Sequence, residues 1–315
     1  MRKLASIAVT AGLLVTLSAC SAAPGVFAGC APTGNAALVS ADAAFGKDPQ
    51  AAFPTPLVST DPELAVLEPG DGDRIDDGAA VDLLISIYDG ETGDALQSQS
   101  GPLTAVSVRT FVDGRFPFAA ALQCANVGAR VVTTGTQTQL FGPDGLGLPD
   151  DPTIVIVTDV EASYLGRANG VDQLPQAGFP SIVLAPDGRP GFTFSSKTPP
   201  TELMIATLKA GNGAVVEEGD SVVVNYAGIL WGEKTTFDSS WDGGAPATLV
   251  AADFTTTDDQ SGVVPGFAKA LIGQKVGSQV LVVIPPEFGY PAGSAPASIG
   301  EDATLVFVID VLGIQ

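Results

Sequence analysis

Histidine is missing from this chain altogether, and that one absence closes off several kinds of chemistry. Ser-His-Asp and Cys-His catalysis, histidine-ligated zinc and histidine proton shuttles are excluded together. Positive charge is scarce: 14 Lys and Arg stand against 35 Asp and Glu, a net charge of −21. Such a surface repels nucleic acid, so no nucleic-acid partner is expected, and it suits solubility in an extracellular setting. Cysteine occurs three times, never at metal-ligand spacing, and neither a metal nor a cofactor is expected. Apolar runs at helical spacing are few. With 37 Gly and 24 Pro set among β-branched segments, the chain reads as mostly β structure joined by turns. Its 315 residues suffice for two domains of ordinary size.

The first residues give an address. Met1-Arg2-Lys3 is a short basic region, and Leu4 to Leu17 is apolar but short for a membrane-spanning helix. Leu17-Ser18-Ala19-Cys20 resembles a bacterial lipobox, in which the cysteine is lipidated after cleavage on its amino side. A signal peptide over 1–19 and lipidation of Cys20 are therefore expected, placing the body on the outer face of the cell membrane. The lipid would be the membrane contact, since a body with 12 basic and 35 acidic residues left stands away from anionic headgroups.

Cys30 and Cys124 remain, and in an oxidising compartment a leftover pair reads as a disulfide staple. Residues 20–39, dominated by Ala, Gly, Ser and Pro, read as a flexible tether. A second segment of low order, 167–200, includes "APDGRPG" and "KTPP" and separates two strand-rich regions at 40–166 and 201–315. Within it, "FPSIVLA" could add an edge strand to either neighbour. The two regions look like copies of one another. Leu67 and Leu208, Gly78 and Gly219, and Ser98 and Ser239 are each 141 residues apart. Val127-Gly128 and Val276-Gly277 are 149 apart, and Asp159 and Asp310 are 151 apart, as a duplication with altered loops would leave them.

In the second copy "VVVNYAG", "TFDSSW", "VVPGFAKALIGQKVGSQVLVVIPPEFGY" and "ATLVFVIDVLGI" follow in order. This region resembles the FKBP-type peptidyl-prolyl cis-trans isomerases over nearly all of 201–315. The resemblance implies an α+β, mostly β fold, two tandem domains each with a curved antiparallel sheet wrapped around one short helix. That helix would lie at Phe267 to Ile272. It also implies catalysis without a nucleophile. An Xaa-Pro amide isomerises slowly because rotation breaks its conjugation, at a barrier of about 18–20 kcal/mol. The twisted amide is less dipolar than the planar one, so an apolar pocket disfavours the planar state more, and positioned donors can hold the rotated carbonyl.

By the same resemblance Tyr226, Phe237, Val263, Val264, Phe267 and Phe307 form the pocket for the proline ring, with Ile299 on an overhanging loop. The Val264 N–H and the Tyr290 hydroxyl would bind substrate carbonyls. Asp238 would stand at the rim, bonded to Tyr226 and facing the substrate amide. Three positions depart from the family pattern: Phe267 where tryptophan is usual, Ala247 where an aromatic closes one wall, and Ala295 where histidine is frequent. In the first copy Tyr226 projects onto Ile85, Phe237 onto Leu96, Asp238 onto Gln97, Phe267 onto Phe118, Tyr290 onto Phe141 and Phe307 onto Ile156. The hydroxyl and the acid are gone, so this copy reads as degenerate. "DGDRIDDG" from Asp71 to Gly78 puts Ile75 where a calcium loop needs an oxygen, and reads as a solvated turn. The partners expected are proline-containing unfolded or secreted polypeptides. The alternative is a peptide-binding or chaperone lipoprotein that turns nothing over.

Overall fold

The computed structural model describes residues 29–315 except 43, 48, 77, 99–102, 109–115, 258–260 and 292. The signal segment and Cys20 lie outside the described residues. Strands dominate: β1 Ser40–Asp42, β2 Gln50–Ala52, β3 Glu63–Pro69, β4 Ala80–Asp89, β5 Ala95–Ser98, β6 Leu103–Ser107, β7 Ala129–Thr136 and β8 Thr153–Tyr164 come first. They are followed by β9 Val171–Asp172, β10 Ser181–Leu184, β11 Pro190–Thr193, β12 Met204–Ala210, β13 Ser221–Leu230, β14 Thr236–Ser239, β15 Ala247–Val250, β16 Gln279–Ile284 and β17 Leu305–Ile314. Helices are short, with α1 at Gln137–Phe141, α2 at Ser240–Gly243 and α3 at Pro265–Leu271. The fold is α+β and mostly β, as expected.

Two antiparallel sheets carry the chain. One runs β3-β7-β8-β4-β5 with β6 also on β4, and the other β14-β13-β17-β16-β12-β9 with β15 also on β13. Ser40 and Ser181, Glu63 and Met204, Ala80 and Ser221, and Ala95 and Thr236 open corresponding strands, each pair 141 apart. The register corresponds too: Arg130 faces Asp159 across β7 and β8, as Gln279 faces Asp310 across β16 and β17.

β16 is buried at every position, and β17 at all but its last. That is why both read as unbroken apolar runs rather than alternating ones: each face of the strand has a cover. On one face Phe307, Ile309 and Val311 pack on α3 through Phe267, Ala270 and Leu271. On the other, Val306 and Val308 join Leu281, Val283 and Trp231 under Phe179, Ile182, Phe192 and Phe194. These four residues belong to 167–200, which its composition marks as a linker of low order. The structure corrects that reading. β10 and β11 form a hairpin whose apolar side chains lie on the sheet, and β9 adds to the edge of β12.

The tether reading of 20–39 is corrected in its second half in the same way. Residues 34–38 form a 3-10 helix capped through Glu63, which accepts from the Asn35 and Ala36 N–H groups at 2.6 and 3.2 Å. Ala36 and Val39 are buried against Ala65, Val132, Val155 and Val157, with Ala41, Ala51 and Phe53 of the β1–β2 region beside them. Cys30 is bonded to Cys124, which ends the 3-10 helix Pro117–Cys124 and packs against the first core. Ile75 is 2% exposed within that core, so its side chain holds the turn down rather than facing a cation.

The sheets meet through a small apolar contact of Ala80, Ala105, Tyr164, Val223 and Leu312. A glycine is required there. A Cβ on Gly313 would stand 2.3 Å from the Tyr164 ring, so the side chain at 313 must be hydrogen for the ring to pack against β17. The Tyr164 hydroxyl donates to buried Asp82 at 2.7 Å.

Candidate active site

Pro265 opens α3, where a missing N–H matters least, and the helix ends before Ile272, whose backbone is extended. The helix thus begins two residues before the expected start and stops one earlier. It faces Phe267 into the sheet at 3% exposure. β17 brings Phe307 against it, with ring centroids 5.0 Å apart and planes at 83°. Edge-to-face pairs of this kind contribute roughly 0.5–1.5 kcal/mol beyond area burial. β13 supplies Tyr226, whose ring is 6.2 Å from both Phe267 and Phe307. β14 supplies Phe237, 5.5 Å from Phe307. Four expected pocket rings therefore form one contiguous aromatic bowl. Gly228 on β13 makes room for it, since a Cβ there would lie 2.6 Å from Phe307 and 2.7 Å from Phe237.

Asp238 follows Phe237 on β14, and strand alternation turns it away from the ring side, to the exposed rim. The Tyr226 hydroxyl donates to its Oδ2 at 2.6 Å. Burial and then the Asp238 hydrogen bond push the Tyr226 hydroxyl well above the ordinary tyrosine range, so it stays protonated as a donor. The Tyr290 hydroxyl is shifted upward by burial, then by the field of Asp238. Neither the Tyr290 hydroxyl nor the Val264 N–H has an acceptor among the described residues. Val263, Tyr290 and Ile299 pack on the outside of the bowl's core, and Val264 is buried within it. The structure therefore brings all nine expected pocket and rim residues to one apolar core and its edge, with two donors left for a ligand.

Behind the rim, the Ser240 hydroxyl donates to Asn225 Oδ1 at 2.9 Å and accepts the Tyr226 N–H at 3.0 Å, which ties the start of α2 to β13. This support was not read from the sequence, nor was Phe254, whose ring lies 6.4 Å from Tyr290.

In the first sheet the corresponding positions behave differently. Phe116, Phe118 and Phe141 pack on one another at 5.5–6.2 Å, with Ile85 and Ile156 buried beside them. Gln97 and Leu96 are exposed. At the positions onto which the offsets project the tyrosine–carboxylate pair stand Ile85 and Gln97. A separate cleft of about 730 Å³ opens between the sheets, near Leu165, Pro186, Asn225 and Trp241. Its Asn225 and Ser240 are already bonded to each other, and Asn225 also to the Gly166 carbonyl, so it offers less chemistry than the bowl.

Comparison with known proteins gives the family. The profile described as FKBP-type peptidyl-prolyl cis-trans isomerase matches residues 213–312. A probable FK506-binding protein of Corynebacterium glutamicum is 35% identical over 114 residues, 36% of this chain and 87% of its own length. The chain belongs to the FKBP-type isomerase family. FkpA of Escherichia coli is 34% identical over 119 residues, 38% of this chain, and the chain spans 40% of that relative's length. Its crystal structure matches 42% of this chain and 51% of its own at 29% identity, with a TM-score of 0.31. The outer membrane protein MIP of Legionella longbeachae is 33% identical over 116 residues, 37% of this chain and 46% of its own length. The family profile, at 213–312, covers the part of the chain that carries the bowl.

Proposed function

We propose that this protein catalyses cis-trans isomerisation of Xaa-Pro bonds in secreted or cell-envelope polypeptides, at the bowl formed by Tyr226, Phe237, Phe267 and Phe307. The observation that carries this reading is the pairing of an apolar aromatic floor with two unengaged donors, Val264 N–H and Tyr290 hydroxyl, beside the Tyr226–Asp238 pair. The proline ring lies on Phe267 and Phe307, which strip water from the imide. Planar, charge-separated imide loses more solvation than the twisted form, so the barrier falls. Val264 N–H and Tyr290 hold carbonyls, and Asp238, kept in place by Tyr226, faces the rotating amide. Each ~1.4 kcal/mol gained by the twisted state over the planar one is tenfold in rate.

In a protease-coupled prolyl-peptide assay on the full-length protein, Asp238→Ala and Tyr226→Phe should each lower kcat/KM by roughly ten- to a hundredfold. Both groups stand at a rim and not in the core, so stability should change by about 1 kcal/mol. Unchanged rates in both variants would remove these residues from the mechanism. Peptide binding without turnover in the wild type would favour the chaperone alternative.

The chain is further read as a tandem duplication whose first copy, 40–166, is degenerate. Support comes from the shared offset of 141 and the shared strand register, together with Ile85 and Gln97 standing in place of the tyrosine and the acid. The repeat unit also takes in the leading hairpins, β1–β2 and β10–β11. For location, "LSAC" supports lipidation of Cys20 and an extracytoplasmic protein held at the outer face of the membrane. Cys20→Ala should leave an uncleaved precursor or release the protein from membranes, read by fractionation and intact mass. A mutant that matures and stays bound like the wild type would end the lipoprotein reading.

A further inference from the structure

Phe254 lies between β15 and α3, and its place is set by the backbone around it. Asp253 forms a parallel bridge with Val263. The Phe254 N–H donates to the Val263 carbonyl at 3.1 Å, and the Val263 N–H donates to the Ala252 carbonyl at 2.9 Å. The Asp253 carboxylate closes the turn, accepting from the Thr255 N–H at 2.9 Å and its hydroxyl at 2.6 Å. The ring is half-buried, packed on the second core and 6.4 Å from Tyr290 with planes at 42°. Its backbone is thus tied to the residue before Val264, whose N–H has no acceptor among the described residues.

A peptide in the bowl has a direction. On the reading proposed above, which this inference rests on, the rotating imide sits beside Tyr226 and Asp238. The proline ring covers Phe267, so the proline's own carbonyl is the one that reaches the Val264 N–H. The chain leaving that carbonyl then runs past Val263 towards Phe254. We propose that Phe254, backed by Tyr290, is a specificity-determining residue that takes the side chain following the proline and favours a large apolar or aromatic one. An apolar side chain there gains burial and ring contact, whereas alanine gains little and a glutamate meets Asp253 nearby.

The test uses the mature full-length protein and two sets of fluorescent Xaa-Pro-Yaa peptides, one varying Yaa among Phe, Leu, Ala and Glu, the other varying Xaa. Binding is read by anisotropy and isomerisation by exchange NMR, so affinity and turnover are measured separately. Wild type should bind Yaa = Phe or Leu roughly three- to tenfold more tightly than Ala. Phe254→Ala should bring that ratio to within about twofold, Phe254→Leu should keep most of it, and the Xaa ranking should not move. A Yaa ratio unchanged in Phe254→Ala, or an equal loss in both peptide sets, overturns the proposal. Wild type that shows the Yaa ranking in binding without isomerising would sink the isomerase reading and leave the subsite standing. Should Phe254→Ala lose its native circular dichroism, Phe254→Leu decides by the same ratio, since it must fall between wild type and unity.

Discussion

Phe307→Ala should destabilise the protein by about 3–5 kcal/mol and reduce kcat/KM by more than either rim substitution. Phe307 touches Phe267, Phe237 and Tyr226 with centroids 5.0–6.2 Å away and is 6% exposed, so no neighbour is free to collapse into its place. Gly228 stands under the ring with no side chain of its own, and it would leave the cavity open on that side. The loss of activity follows from the loss of the bowl: Phe267 and Tyr226 each lose the ring they rest on, and the imide meets water. Chemical denaturation followed by tryptophan fluorescence, with the prolyl-peptide assay on the folded fraction, separates the two effects. Phe307→Leu keeps much of the volume and should fall between wild type and alanine on both readouts. A full-rate Phe307→Ala protein would mean that catalysis does not use this bowl.

The second large effect lies in the first sheet, far from the chemistry. Arg130 and Asp159 are both 0% exposed, and the guanidinium grips the carboxylate through two bonds, at 2.6 and 2.7 Å. The Gly46 N–H adds a third at 2.9 Å, and Glu68 stands 3.8 Å from the guanidinium at the edge. The hydrogen bond to Asp159 leads the causes that hold the Arg130 pKa above its ordinary value, so the guanidinium stays charged. Arg130→Ala leaves a buried carboxylate with both guanidinium bonds gone and should cost about 3–5 kcal/mol. The second sheet solves the same problem differently. There Gln279 donates to Asp310 at 2.7 Å and the Ala168 N–H donates at 2.9 Å, while burial pushes the Asp310 pKa up. A buried acid paired with a neutral amide is less demanding than an ion pair, so Arg130→Gln should recover most of the loss. Thermal unfolding of the three proteins checks this order. Isomerase rates of the folded proteins should be equal, since Arg130 supports the sheet without the tyrosine–carboxylate pair. An Arg130→Ala protein as stable as wild type would show that the pair only balances its own desolvation.

Much of the candidate site was legible before any coordinates, through the resemblance of 201–315 to the isomerase family, and strand alternation is consistent with it. Phe237 and Asp238 are adjacent on one strand, so alternation alone sends the ring inward and the acid to the rim. Tyr226, Val264, Phe267 and Phe307 lie in segments whose order and apolar character mark them as strands around a short helix. What strand spacing could not convey was which loop residues reach the site. Phe254 is brought beside Tyr290 from a loop tied to Val263 by a backbone bridge, with no regular spacing to announce it. Ser240 is similar: a hydroxyl in "FDSSW" gives no sign that it bonds Asn225 across the turn.

Sequence by itself determined the class of fold, and through its resemblance to the isomerase family it named the residues expected at the pocket; the offset of 141 residues was read from order and residue type. Tertiary structure alone decided the role of 30–39 and 167–200. β1, β2 and β11 are three or four residues long and carry Ala, Gly or Pro, so local propensity favours no strand, while β10 is a strand-like Ser-Ile-Val-Leu too short to fix its own partner. They exist because each sheet has a second apolar face to cover: Val132, Val155 and Val157 in one, Leu281, Val306 and Val308 in the other. Burial of that face supplies what the segments lack, and it depends on contacts distant in sequence. The same distance hides the fate of Asp159 and Asp310. A carboxylate in the middle of an apolar strand shows that something must meet it, but only the packed chain determines that a guanidinium meets one and an amide the other.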